Sequence, residues 1–145
     1  MRIDILATAP EVHRAFGALE KYIRSSGLPD ATVDLLYLRI SQLNGCAYCV
    51  DAHSADLKRL GEDDRRIWGV AAWRESPFYT PAERAALALA EEGTLLPGGE
   101  GVSDAVWEEA AAHYPEELLA ALIATIAQMN AMNRLGVINK LAPRP

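Results

Sequence analysis

The stretch Asp30-Ala-Thr-Val-Asp34-Leu-Leu-Tyr37-Leu-Arg-Ile-Ser-Gln-Leu-Asn44-Gly45-Cys46-Ala-Tyr48-Cys49-Val-Asp-Ala-His53 decides the fold. Its first half carries Val33, Leu35, Leu36, Tyr37, Leu38, Ile40 and Leu43. These positions recur at the spacings of a helix, not at the strict alternation of a strand. The set is too wide for one apolar stripe, so a helix from about Asp30 to Asn44 is expected to be buried on several sides. Asp30, following Pro29, reads as its N-cap. Gly45 breaks the pattern, and a further helix starts near Cys46 and ends at Gly61.

The helical period extends outward in both directions, and Gly and Pro cut it into lengths. Upstream, Pro10 to Ser25 buries Val12, Phe16, Leu19 and Ile23, with Pro10 acceptable in a first turn and Gly27 as the stop. Downstream, Glu62 to Trp73 places Asp63 and Asp64 in a first turn, where the helix dipole favours acids. Thr80-Pro-Ala-Glu83 reads as a capping box opening a fifth helix that runs to about Glu92. Gly93 to Gly101 reads as a loop. Ser103 caps a sixth helix to about His113, and Pro115 opens a seventh to about Leu135, apolar nearly all round from Leu118 to Met132. No strand-period segment, internal repeat or linker stands out. The expectation is an all-α bundle of six to seven helices forming a single domain over residues 1–145. Two helices that are apolar all round leave two readings open: a well-buried central helix, or a homo-oligomer that covers the remainder.

Half of the 145 residues are hydrophobic and 23% are charged, so the chain can build a core without a disulfide framework. The net charge of −6, with no basic run longer than Arg65-Arg66, sets nucleic acid aside as a partner. The longest apolar run, Leu118 to Ala127, is interrupted by Thr125 and falls well short of the ~20 residues of a membrane span. The N-terminal segment has Asp4 inside its only apolar stretch, unlike a secretory signal, and a cytoplasmic location is expected. The only cysteines are Cys46 and Cys49. A loop that small adds little chain-entropy stabilisation, and in a reducing compartment such a pair reads as reactive rather than structural.

On one helix, at about 100° per residue, Cys46 and Cys49 fall about 60° apart, and His53 lies one turn beyond Cys49. A helix N-terminus favours thiolate over thiol. An imidazole one turn away can accept or return a proton. A sulfenate or mixed disulfide formed on one sulfur is resolved by the other. Other readings compete with this one. A zinc site built from Cys46, Cys49 and His53 lacks a fourth ligand, because His13 and His113 have no partner at ligand spacing. A thioredoxin-like fold places its cysteine pair after a strand, whereas both flanks here are helical. An inert buried pair is the remaining alternative. Gln42 and Asn44 are placed to hold backbone at the helix break. Asn130, Asn133 and Arg134 are expected to form a buried polar cluster or an oligomer contact. Trp68, Trp73 and Trp107 are expected to be core or interface anchors.

Ser41-Gln-Leu-Asn-Gly-Cys46-Ala-Tyr-Cys49-Val-Asp-Ala-His53-Ser-Ala55 resembles the core of the alkylhydroperoxidase D-like branch of the carboxymuconolactone decarboxylase superfamily. Trp73-Arg-Glu-Ser-Pro-Phe-Tyr-Thr-Pro-Ala-Glu-Arg-Ala-Ala-Leu87 and Asn130-Ala-Met-Asn133-Arg-Leu135 are similar to its short members, so the resemblance spans roughly residues 10–140. It implies an all-helical fold in homo-oligomers, often trimers or hexamers. It implies peroxidase or disulfide reductase activity without metal, haem or other cofactor, with a hydroperoxide as substrate and a dithiol or protein as reductant. It also implies that Cys49 is the sulfur oxidised to sulfenic acid and that Cys46 resolves it. His53 matches the family's histidine, and Tyr48 its tyrosine between the cysteines. The family's proton relay begins with a glutamate twelve residues before the first cysteine; that position is Asp34, one methylene shorter. A relay role for Asp34 through a bridging water stands beside a plain first-turn acid. Tyr48 projects about 100° away from Cys49, so packing beneath the site stands beside a role in it. A lactone decarboxylase of the wider superfamily, which needs no cysteine pair, and a non-enzymatic redox sensor are the other functions to weigh.

Overall fold

A computed structural model describes residues 1–96 and 101–143. Eight α-helices follow one another in these residues: α1 (Ile5–Thr8), α2 (Pro10–Ser25), α3 (Asp30–Leu43), α4 (Ala47–Arg59), α5 (Asp64–Gly69), α6 (Pro81–Thr94), α7 (Asp104–His113) and α8 (Glu116–Ile138), with a 3-10 segment at Val70–Glu75. No strand occurs among the described residues. The all-α expectation therefore holds, with the short α1 added in front of the expected helices. None of the described helices is long and apolar enough to cross a membrane.

α3 is the axis of the bundle. Every residue from Thr32 to Leu38 is buried, as are Ile40 and Ser41. It packs against α4, α6, α8 and the 3-10 segment, which is why its apolar residues cannot be confined to one stripe. Burying each of its Leu, Ile and Val side chains contributes about 1.5–3 kcal/mol before the entropy of ordering the chain is subtracted. α8 closes the other side, resting on α2 and α3 and burying Leu119, Ala121, Leu122, Ile126 and Met129. Its far end also holds the N-terminal tail. Asn139 Oδ1 accepts from the backbone N–H groups of Arg2 (3.0 Å) and Ile3 (2.8 Å), and its Nδ2 donates to the Ile3 carbonyl at 2.8 Å.

The Thr80–Glu83 capping box forms in both directions, with Pro81 at the first helical position. Ser103 caps α7 by accepting from the Val106 N–H. Four expectations shift. Asp30 is the first helical residue of α3 and not its cap, which is Pro29. Asp63 lies outside α5 as its cap and accepts from the Arg65 N–H at 2.8 Å. The fourth helix is not continuous to Trp73, because Ala72 leaves helical geometry inside the 3-10 segment. Trp73 lies in the core, whereas Trp68 and Trp107 are exposed.

The helices expected to end at about Glu92 and Leu135 both run further, so that Gly93 and Gly136 lie inside them. A Cβ on Gly93 would come within 3.3 Å of Ile126 Cγ2, so this glycine lets α6 approach α8. Residues 97–100 of the expected Gly93–Gly101 loop lie outside the described residues.

Candidate active site

The turn between α3 and α4 is fastened from two sides. Gly45 takes φ +66°, a left-handed conformation that side chains with a Cβ adopt at a cost. It allows the Cys46 N–H to reach back to the Ser41 carbonyl at 3.0 Å. Asn44 Nδ2 donates to Asn130 Oδ1 and to Asn133 Oδ1, each at 3.0 Å, and Asn133 Nδ2 donates to Ser41 Oγ at 3.0 Å. This polar cluster, expected in outline from the asparagines, ties the residue before the cysteine motif to α8. Arg134 stays at the surface and donates to the Asn130 carbonyl.

Cys46 is the N-cap residue of α4 and Cys49 the third residue of its first turn. Their Cα atoms are 5.3 Å apart and the sulfurs are joined as a disulfide, within the reach that such a bond requires. Cys46 is 2% exposed and Cys49 6%. What covers them is α8. A Cβ on Gly136 would lie 3.0 Å from Cys46 Sγ and 3.6 Å from Cys49 Sγ, so bare helix backbone rests on the disulfide.

His53 stands one turn beyond Cys49 on α4. Its Nδ1 is buried and lies 3.5 Å from Asp34 Oδ1 and 3.4 Å from Asp56 Oδ2, in hydrogen-bond geometry with neither. The ring packs on Tyr37, with centroids 5.0 Å apart. No hydrogen bond joins His53 to either sulfur in this disulfide state. Tyr48 is half-buried in the first turn of α4, and its hydroxyl bonds to no described residue. The structure thus joins Cys46 to Cys49 and sets His53, one turn along α4, beside Asp34 of α3, while Tyr48 stands in the first turn of α4 without a hydrogen bond to any of them.

Asp34 is 2% exposed and is held by Arg24 from α2 in a two-pronged grip, Nη2 to Oδ1 at 2.9 Å and Nη1 to Oδ2 at 3.0 Å. Burial alone would push the Asp34 carboxyl up; contacts with His53 and Arg24 outweigh it and hold the carboxyl below its ordinary range. Arg24 Nε in turn donates to Glu20 at 2.8 Å. Glu20 also accepts from the Tyr37 hydroxyl at 2.7 Å and from Gln128 of α8. Burial, and then the bond to Glu20, raise the Tyr37 hydroxyl well above the ordinary tyrosine range, so Tyr37 is a neutral donor at any working pH.

Asp34, His53 and Asp56 bring ligand-type atoms within 4.8 Å of one another. Both Asp34 oxygens are already taken by the Arg24 guanidinium, whose charge occupies the place of a cation. The zinc reading needs two thiolates, and the disulfide consumes them.

Glu20, Arg24, Tyr37, Asp56, Gln128 and Gly136 were not picked out by sequence reasoning. Asp56 was within reach, because three residues past His53 is the next position on the same helix face. A lone glycine in an apolar helix is also a packing signal. Glu20 and Arg24 read as an ordinary surface pair four residues apart, and nothing in the sequence joins them to Asp34.

Residues 10–92 match the carboxymuconolactone decarboxylase family. The chain is 38% identical over 136 residues to the uncharacterized protein YdfG of Bacillus subtilis (strain 168), covering 94% of this chain and 92% of that one. It superposes with a TM-score of 0.94 on ATU0492 of Agrobacterium tumefaciens, a protein of unknown function assigned to AhpD-type antioxidant defence. The identity is 35%, over 99% of this chain and 98% of the other. It also superposes on the debrominase Bmp8, with a TM-score of 0.86 and 26% identity over 96% of this chain and 74% of that one. The cysteine pair on α4, the histidine one turn on and the carboxylate from α3 thus sit in a fold shared with these proteins, and the chain belongs to the carboxymuconolactone decarboxylase family, in its alkylhydroperoxidase D-like branch.

Proposed function

We propose that the protein is a thiol-dependent peroxidase that reduces organic hydroperoxides with the Cys46–Cys49 pair. The observation that carries this reading is the closed disulfide at the start of α4 with His53 one turn away, backed by carboxylates. In the reduced protein the Cys49 thiolate, in the first turn of α4 and favoured by its dipole, attacks the distal peroxide oxygen. The O–O bond breaks, His53 returns a proton to the departing alkoxide, and an alcohol leaves. Cys46 then attacks the Cys49 sulfenic acid, an S–S bond forms, and water leaves with the sulfenic oxygen. The pair has given two electrons, and a dithiol restores them together with two protons. Asp34, fixed as a carboxylate by Arg24, orients His53. Tyr48 packs beside the pair. The proposed steps call on no metal or cofactor.

The similarity to Bmp8 supports a second reading, in which the same two thiols reduce a carbon–bromine bond: R–Br and two thiols give R–H, a disulfide and HBr. One experiment addresses both. Purified reduced protein is mixed with cumene hydroperoxide or with 2,3,4-tribromopyrrole under excess dithiothreitol, and peroxide loss or bromide release is followed. The expected result is peroxide consumption that Cys49→Ser abolishes. Bromide release without peroxide loss transfers the reading to the second reaction, and a Cys49→Ser variant as active as the parent overturns both.

A further inference from the structure

Two carboxylates flank His53 Nδ1 at almost the same distance, and they differ in what else holds them. Asp34 on α3 is buried, and both its oxygens are bonded to Arg24 of α2. Asp56 lies on α4, three residues beyond His53; its side chain is 30% exposed, and among the described residues its other side-chain partner is Arg59, a surface arginine on the same helix. A proton placed on Asp34 would have to displace a two-pronged guanidinium contact, on a side chain that is only 3% exposed. A proton placed on Asp56 meets only an exposed ion pair, which water screens. The remaining groups that face His53 are Tyr37, which stays protonated, and Glu20, which reaches the ring only through Tyr37 and Arg24.

We propose that Asp56 is the positioning and proton-exchange group of the site: the proton carried by His53 leaves to water and returns from it through Asp56, while Asp34 remains an anion throughout. This deepens the peroxidase reading and rests on it for the identity of the electrophile, though not for the path. The steps balance as follows. The Cys49 thiol gives its proton to the imidazole, the imidazole passes one from Nδ1 to Asp56, and Asp56 passes one to water, leaving Cys49 as thiolate. The reverse sequence delivers a proton to the leaving alkoxide.

The test compares Asp56→Asn, Asp56→Glu and Asp34→Asn in two reactions of the fully reduced protein. One is oxidation by cumene hydroperoxide. The other is the burst with 5,5′-dithiobis(2-nitrobenzoate), which needs the thiolate and no peroxidase activity. Carboxylates behind a metal-bound histidine typically contribute about 10–100-fold, and the lower end of that range is taken as the scale for a histidine that moves a proton. Asp56→Asn is therefore expected to slow both reactions at least tenfold at neutral pH, and excess formate to restore the rate. Asp56→Glu, which keeps a carboxylate at the position, is expected to recover most of that loss. Formate cannot enter the buried Asp34 site, so Asp34→Asn is expected to stay slow. A parental rate in Asp56→Asn, or a loss that formate does not restore, overturns the proposal. Because Asp56 is half-buried and its variants keep the core intact, they decide the matter even if Asp34→Asn fails to fold. A parent that gives the disulfide burst and its formate pattern but consumes no hydroperoxide refutes the peroxidase reading and leaves the proton path standing.

Discussion

Replacing Gly136 by alanine sets two effects of known size against each other. Alanine in a helix interior is favoured over glycine by about 0.8–1.0 kcal/mol. Against this, its Cβ would lie 3.0 Å from Cys46 Sγ, closer than the roughly 3.5–4.0 Å separation at which non-bonded heavy atoms attract, while its 3.6 Å to Cys49 Sγ is an ordinary contact. In the reduced protein the Cys46 thiol turns about its own side-chain torsion and moves away, so the helix preference prevails. In the oxidised protein Cys46 Sγ is bonded to Cys49 and cannot move independently, and overpacking of about 1–3 kcal/mol outweighs the gain. The oxidised state is therefore penalised relative to the reduced one by about 1–3 kcal/mol. With about 30 mV for each 1.4 kcal/mol of a two-electron couple, the reduction potential rises by roughly 20–60 mV. The assay is a redox titration in dithiothreitol buffers, with thiols counted by mass after alkylation, beside urea unfolding of both redox states. An unchanged or lowered potential, or a Gly136→Ala protein destabilised equally in both states, would refute the reasoning.

Two further outcomes follow from the supports of the site. Arg24→Met leaves the buried Asp34 carboxylate without its guanidinium. The cost is about 2–3 kcal/mol, less than for a fully buried pair because Arg24 is partly solvated. In the parent the lowered Asp34 pKa contributes stability that is present above the ordinary value of 3.8 and is lost as pH falls. In the variant burial is opposed only by the contact with His53, so the folded-state pKa moves up toward the unfolded one or past it. The gain in urea midpoint from acid to neutral pH is expected to shrink or reverse, and a midpoint that rises as steeply as the parent's contradicts the role given to Arg24. Gly45→Ala forces a Cβ into φ +66°, where there is room for it but the backbone is unfavourable, at a cost of about 1–2 kcal/mol. Gly45→Asn is expected to cost less, so equal midpoints in thermal unfolding would show that the turn is not held in that conformation.

The parts legible in the sequence are those governed by local rules. The apolar residues of α3 announced a helix buried on several sides, Thr80 and Glu83 announced their capping box, and one helical turn aligned Cys49 with His53. Asp34 was found only through the family resemblance, and its partner was not found, because Arg24 lies on another helix whose pattern reads as amphipathic surface. The two helix ends read too early share one cause. Read locally, Gly93 and Gly136 punctuate the chain; in the bundle each is a residue at which a Cβ would press on its neighbour. A one-dimensional reading sees that a glycine is present but not which neighbour requires it.

The backbone of α8 lying over the disulfide also bears on which molecules can exchange electrons with it. Whether the pair is reduced at equilibrium depends on its potential, but the rate depends on a thiolate reaching one of two nearly enclosed sulfurs. A folded protein bearing its thiol on a broad convex surface meets α8 first, whereas a slim dithiol needs less room to approach Cys49, a residue 6% exposed. Toward other proteins' thiols, this cover gives kinetic selectivity: it limits mixed disulfides without changing the driving force for reduction.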